Sequence, residues 1–269
     1  MSTNALTIAV AQFAPGPDRA QNLATMRELA GDAAGRGARL IVFPEYSSFF
    51  VDPVGREFVD AAEVLDGPFM RGVAALARDL DVHIVAGMAE RVDALARFSN
   101  TVVAVAPTGD IVATYRKQHL YDAFGARESD WVQAGELGDP QTFEVDGIQI
   151  GLQTCYDLRF PEVTRTIVDA GAELVLVPSE WVRGPLKEQH WRTLIAARAI
   201  ENTVYVAAAD HTPPIGVGTS MIVDPMGVVR ADAGERQDVA VAVIDPERVR
   251  QVRAVNPSLA LRRYRVEPR

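Results

Sequence analysis

Gln149-Ile-Gly-Leu-Gln-Thr-Cys155-Tyr-Asp-Leu-Arg-Phe-Pro-Glu162 holds the only cysteine of the 269-residue chain. An apolar alternation stops at Cys155, and Pro161-Glu162 opens a helical pattern in which Val163, Ile167 and Ala170 share a stripe. The thiol therefore falls at a strand-to-helix turn, past the carboxyl end of its strand and beside the positive end of the next helix. Such surroundings favour a thiolate. The opposing reading is an inert cysteine packed as a small hydrophobe.

Two stretches further upstream have the same form. Arg39-Leu-Ile-Val-Phe-Pro-Glu45 sets Glu45 just beyond a β-rich run stopped by proline, and Ile111-Val-Ala-Thr-Tyr-Arg-Lys117 delivers Lys117 at the end of another. One charged residue at a strand end is ordinarily solvated. Pro-Glu, Tyr-Arg-Lys and Cys-Tyr-Asp-Leu-Arg-Phe-Pro-Glu in this order, each at a strand tip, form a pattern that resembles the nitrilase superfamily of carbon–nitrogen hydrolases. Gly218-Thr-Ser-Met-Ile-Val-Asp-Pro-Met-Gly-Val-Val229 looks like that family's late hairpin, so the resemblance runs over nearly the whole length.

The resemblance implies an α/β fold, a four-layer α-β-β-α sandwich of two mixed sheets covered by helices. It also implies hydrolysis of a non-peptide carbon–nitrogen bond in a small amide, through a thioester on Cys155. Glu45 would be the general base, shielded from bulk solvent, and Lys117 would face the oxyanion together with the backbone N–H of Tyr156. Glu128, in Arg127-Glu128-Ser-Asp, resembles a second glutamate that positions the lysine in relatives, although the loop here looks shorter; the alternative is a solvated loop carboxylate. Tyr121, Arg159, Glu180 and Trp181 are the candidate substrate contacts. Arg159, like Glu162, has a competing reading as a local ion-pair or hydrogen-bond partner at a helix start. Tyr156-Asp157 after the cysteine is similar to ω-amidases and deaminated-glutathione amidases, whereas nitrilases proper more often carry Trp-Glu there. An amide is thus expected over a nitrile or an N-carbamoyl compound. A carboxylate-bearing acyl group follows if Arg159 or Arg183 points into the pocket.

Two rival classes remain. A papain-like hydrolase would bring His83, His119, His190 or His211 to Cys155, with His119 the nearest in prospect. A catalytically idle interaction protein would be expected to have lost part of the Glu–Lys–Cys set, which this chain retains. No His or Cys pair occurs at metal-ligand spacing, so neither metal nor cofactor is expected.

The other strands and helices are read from period and punctuation. Apolar runs at 6–12, 82–87, 100–106, 143–145, 148–152, 174–177, 204–209, 220–223 and 239–244 are strands. Helical stripes pass through Leu23, Met26 and Leu29, through Val73, Leu76 and Leu80, and through Trp191, Leu194, Ile195 and Arg198, with a short last helix from Pro246. The polar segment 118–140 is long enough to be a functional loop. Phe49 and Phe50 could line a site entrance or pack into a partner subunit. No linker or low-complexity block interrupts the chain, so a single domain over 1–269 is expected. A net charge of −9 argues against a nucleic-acid surface. The apolar runs are shorter than a membrane span and no leader pattern opens the chain. One cysteine forms no internal disulfide, which fits a cytoplasmic protein; the family commonly forms dimers or larger homo-oligomers.

Overall fold

The computed structural model describes residues 5–92 and 96–269. The expected absence of a leader rests in part on residues 1–4, which lie outside the described residues. β1 (Leu6–Gln12) is buried almost throughout, and α1 (Arg19–Gly35) follows it. Asp18 caps that helix, accepting from the Ala20 and Gln21 N–H groups at 2.9 and 3.2 Å, which satisfies donors that the first turn leaves free. Next come β2 (Leu40–Val42), α2 (Arg56–Ala61) and α3 (Pro68–Leu80), the last opened by a proline whose missing N–H costs nothing at that position. β3 (His83–Arg91), β4 (Phe98–Val105) and β5 (Ile111–Arg116) complete the first half.

The second half repeats the scheme. It runs through β6 (Thr142–Val145), β7 (Ile148–Leu152), α4 (Pro161–Asp169), β8 (Leu174–Pro178), α5 (Lys187–Asn202) and β9 (Tyr205–Ala209). It ends with β10 (Met221–Val223), β11 (Val229–Asp232), β12 (Asp238–Ile244) and α6 (Pro246–Val255).

The strands make two six-stranded mixed sheets, ordered β12-β1-β2-β3-β4-β5 and β11-β10-β9-β8-β7-β6. In each, three central strands are parallel and the outer pairings are antiparallel. Alternation within the strands sorts side chains to two faces. One set, including Val10, Val42, Val85, Val102, Ile150, Leu176 and Ala207, fills the space between the sheets. The opposite set packs under α1 and α3 on one side and under α4 and α5 on the other. Both faces are covered, which is why the central strands read as continuous apolar runs. The expected four-layer α-β-β-α sandwich is borne out.

The sequence reading missed α2, whose six residues are too few to show a period. Its Phe58 is fully buried and gathers Phe49 at 5.2 Å, Tyr46 at 5.0 Å and Phe98 at 5.3 Å between ring centroids. Phe49 and Phe50 are therefore buried in their own chain and offer no surface to a partner subunit, which corrects that alternative. Phe50 does line the central cavity.

Candidate active site

Parallel strands end on one side of a sheet, so the residues just past their tips are brought together. Glu45 follows β2, Lys117 follows β5, Cys155 follows β7 and Glu180 follows β8. All four line one cavity of about 540 Å³, together with Glu128, Tyr121, Tyr156, Arg159 and Trp181.

Backbone geometry aims the groups. Tyr46 and Cys155 adopt left-handed φ of 57° and 44°, sparsely populated for side chains with a Cβ. At Glu45 the chain is pressed against β3 so closely that a Cβ on Gly87 would lie 2.6 Å from Glu45 Cα, so only glycine fits there. Cys155 begins a 3-10 turn, Cys155–Arg159, and α4 starts only at Pro161. The expected helix end beside the thiol is replaced by this turn. Asp157 anchors it: fully buried, it accepts from the Thr154 N–H at 3.2 Å, Tyr115 Oη at 2.7 Å and the His119 N–H at 3.1 Å.

The inner wall is a network of buried charge, in which Asn100 Oδ1 is left without a partner among the described residues. Lys117 Nζ lies 2.9 Å from Glu45 Oε1 and 2.9 Å from Glu128 Oε2. Asn100 Nδ2 donates to Glu45 Oε1 at 2.6 Å and to Glu128 Oε1 at 3.1 Å. Glu128 Oε1 also accepts from Tyr46 Oη at 2.8 Å, and Oε2 accepts from the Tyr121 N–H at 2.6 Å. Glu45 Oε2 accepts from the Glu180 N–H at 2.6 Å, while the Cys155 thiol points to the Glu180 carbonyl at 3.4 Å. The backbone of one residue, Glu180, thus meets both the thiol and the carboxylate through its two flanking peptide groups. His211, after β9, supports Glu45 from behind, its Nε2 2.7 Å from the Glu45 carbonyl.

Burial sets the charge states. Lys117, 2% exposed, would be pushed down by desolvation, but Glu128, Glu45 and Cys155 outweigh this and hold its pKa well above the usual lysine value. Glu128 is also desolvated, yet Lys117 and the donors from Tyr121 and Tyr46 keep its carboxyl below the ordinary range. The reading of Glu128 as a solvated loop carboxylate is overturned. Burial, then the charge of Glu45, pushes the Cys155 thiol well above its usual value despite Lys117. The sequence expectation of a resting thiolate is corrected accordingly: the thiol keeps its proton until a base takes it. Glu180, half-buried, is raised well above the carboxylate range by burial, Glu45 and Asp210, and its Oε1 has no partner among the described residues.

The outer wall is different. Arg159 has no acidic partner among the described residues; its guanidinium lies 4.7 Å from the Trp181 ring and 5.5 Å from that of Phe124. Of the local roles expected for Arg159, an ion pair is absent among the described residues, whereas its Nη2 lies 3.4 Å from His190 Nδ1, and the residue also lines the cavity. Arg183 is exposed at the rim, 3.3 Å from Glu188. Sequence reasoning missed Asn100, Tyr46 and Lys187, and weighed His211 only as a partner for Cys155 and not for the Glu45 carbonyl. Asn100 opens an apolar strand and is 0% exposed, and a buried amide requires partners, which was the available signal. No histidine among the described residues is hydrogen-bonded to Cys155; His119 instead meets Asp157 at 2.8 Å and stacks on Phe160. The papain-like reading is thereby removed. Among the described residues no helix is long and apolar enough to cross a membrane.

The sequence profile described as Carbon-nitrogen hydrolase matches residues 7–254. The chain belongs to this family. This carbon–nitrogen hydrolase is 39% identical to a deaminated glutathione amidase of Escherichia coli O157:H7 over 96% of this chain and 98% of the relative. It is similar to the crystal structure of a carbon–nitrogen hydrolase from Helicobacter pylori G27, with TM-score 0.88, 26% identity and 96% of each chain covered. It is also similar to an amidase of Nesterenkonia sp. AN1 solved with acrylamide, with TM-score 0.78, 27% identity, and 97% and 99% of the two chains covered.

Proposed function

We propose that this hydrolase cleaves a small amide, with Cys155 as nucleophile and Glu45 as the base that serves it. The observation that carries the reading is the backbone of Glu180, whose carbonyl accepts from the thiol and whose N–H donates to Glu45. As the sulfur attacks the amide carbon, its proton passes to Glu45 and the S–C bond forms. The carbonyl oxygen becomes an oxyanion facing Lys117 Nζ and the backbone N–H of Tyr156, charges already in place before reaction. The C–N bond breaks as Glu45 returns the proton to the leaving nitrogen, which departs as ammonia or an amine. Water then gives a proton to Glu45 as its oxygen attacks the thioester carbon; the C–S bond breaks, Glu45 returns the proton to the sulfur, and the acid leaves. Glu128 holds Lys117 in line throughout. Tyr121, Arg159, Glu180 and Trp181 contact the substrate. Relatives named amidases support an amide over a nitrile.

The test is an amine- and ammonia-release screen across ω-amides, aliphatic amides, secondary amides, carbamoyl compounds and nitriles, read beside intact-mass detection of an acyl adduct on Cys155. Turnover confined to nitriles would end the amide reading. We further infer one domain over residues 1–269, and a cytoplasmic homodimer or larger oligomer. Leu261 and Tyr264, 71% and 92% exposed, support association. Light scattering reporting a monomer would remove it.

A further inference from the structure

The turn that carries the nucleophile, Cys155–Arg159, is held at both ends. At its start the buried Asp157 carboxyl accepts from the Thr154 N–H at 3.2 Å, and Thr154 Oγ1 donates to the Pro178 carbonyl at 2.7 Å. The other end has no such closure from its own backbone. A 3-10 bond to the Leu158 carbonyl would come from the residue three further on, which is Pro161 and carries no N–H. Arg198 of α5 supplies the donors instead, Nε at 3.0 Å and Nη2 at 2.8 Å, from 40 residues away in the chain. Arg198 is 5% exposed, and its Nη1 donates to Glu201 Oε1 at 2.9 Å. A buried guanidinium is costly to hold unless its fork is used, and here one edge of the fork is given to a single main-chain carbonyl. That carbonyl belongs to the turn that sets Cys155 at a left-handed φ of 44°, a conformation that persists only while its surroundings hold it.

We propose that Arg198 is a positioning residue for the reaction: by clamping the Leu158 carbonyl it holds the turn that aims Cys155 Sγ and the Tyr156 N–H, without itself touching the substrate. This rests on the amide-hydrolase reading and adds to it a support from α5. Arg198 lies outside the cavity lining, so its substitution acts on the reaction through the turn. Glu45 and Lys117 come from the tips of β2 and β5 and are fixed to each other and to Asn100 and Glu128, with no part of α5 among their partners. Loosening the turn therefore moves the sulfur and one oxyanion donor against a base and an ammonium that stay in place.

Arg198→Met keeps the apolar stem and removes the donors. Its kcat is expected to fall ~10²-fold, the scale set by a shift of about 1 Å in a reacting group, with KM within about threefold of wild type. Arg198→Lys, which returns one donor, recovers about tenfold of that loss. A role confined to helix packing would lower the unfolding midpoint of Arg198→Met and leave kcat near wild type; that result would overturn the assignment, as would a loss carried by KM alone or equal kcat in Arg198→Met and Arg198→Lys. A second measurement does not depend on turnover: the pH dependence of Cys155 modification by methyl methanethiosulfonate, followed by intact mass on the only thiol of the chain. Burial pushes that thiol up, Glu45 and Glu180 add to the rise, and Lys117 opposes it. In Arg198→Met the freed turn admits water, and the midpoint of modification falls by at least about 1 pH unit. If wild type hydrolyses no amide, the reaction reading falls while this measurement still decides: a lowered midpoint sustains the clamp and an unchanged one removes it. All readings are taken below the unfolding midpoint of each variant. Should Arg198→Met not fold, Arg198→Gln, whose shorter side chain falls short of Leu158, is read in its place under the same criteria.

Discussion

On the inner wall Lys117 faces Glu45 and Glu128 at 2.9 Å each, whereas on the outer wall Lys187 and Arg159 face aromatic rings and no carboxylate among the described residues. Both walls are built from buried charge, but the inner one contains its own counter-ions. A buried charge is stable only when paired and hydrogen-bonded. The inner wall meets that condition without substrate, so its geometry is set before anything binds. The outer wall meets its cations with aromatic faces and the Tyr121 hydroxyl, and with no carboxylate among the described residues. Substitutions of inner residues should therefore affect every substrate alike, and substitutions of outer residues should sort substrates by charge.

The sharpest form of that contrast is Cys155→Ala. Amine release from charged and neutral amides alike is expected to fall by at least ~10⁴-fold, because binding energy cannot replace a nucleophile. Thermal unfolding of the variant should match wild type, since the thiol makes one weak contact at 3.4 Å. A loss confined to anionic amides would break the comparison.

His211 tests the support behind Glu45. It is 1% exposed, and burial lowers its pKa to about 4 from the ordinary 6.5. Its neutral ring donates from Nε2 to the Glu45 carbonyl. The unfolded chain takes up the proton first, so stability is fully present above pH 6.5 and is lost as pH falls toward 4. The loss over that window is about 3 kcal/mol. Denaturant midpoints measured from pH 7 to pH 4 should show this slope in wild type and a shallower one in His211→Gln. Equal slopes would mean that His211 is not the group responsible.

Gly87→Ala probes the same support from the β3 side. The added Cβ would meet Glu45 Cα and the Tyr46 nitrogen at 2.6 Å, both backbone atoms that cannot rotate away. Glu45 is displaced, and kcat should fall ~10²-fold for all amides, the scale set by a shift of about 1 Å in a reacting group. Retained activity would show that the β2 tip has more freedom than its packing allows.

The inner wall was largely legible in the sequence because each of its main groups sits at a strand tip. Short apolar runs broken by a polar residue locate tips, and strands that run in one direction gather them on one side. Glu45, Lys117 and Cys155 could be placed that way, and the family pattern singled out the three together with Glu128. Asn100 was not singled out, because its partners Glu45 and Glu128 are 55 and 28 residues away in the chain and only the fold joins them. The outer wall was less readable still. Lys187 looks like any charged residue at a helix start, and its burial comes from Tyr121 and Phe124, more than sixty residues earlier. The charge state of Cys155 was misread for a related reason: sequence shows the turn, whereas desolvation is a property of the closed cavity.

The smallest effect separates redundancy from necessity in the inner wall. Glu128 Oε1 accepts from Tyr46 Oη at 2.8 Å and from Asn100 Nδ2 and Lys117 Nζ at 3.1 Å each. Tyr46→Phe removes one of these three donors and leaves the ring in place among Phe50, Phe58 and Phe98. Losing one hydrogen bond to a charged acceptor costs roughly 1.5–3 kcal/mol of stability, read from denaturant unfolding. With two donors remaining on that oxygen, Lys117 keeps its place, and kcat should fall less than about tenfold, equally for charged and neutral amides. A much larger loss would mean that Tyr46 sets the direction of Glu128 by itself. A loss that depended on substrate charge would mean that the two walls are coupled through the Tyr121–Glu128 loop, and that the separation between them is incomplete.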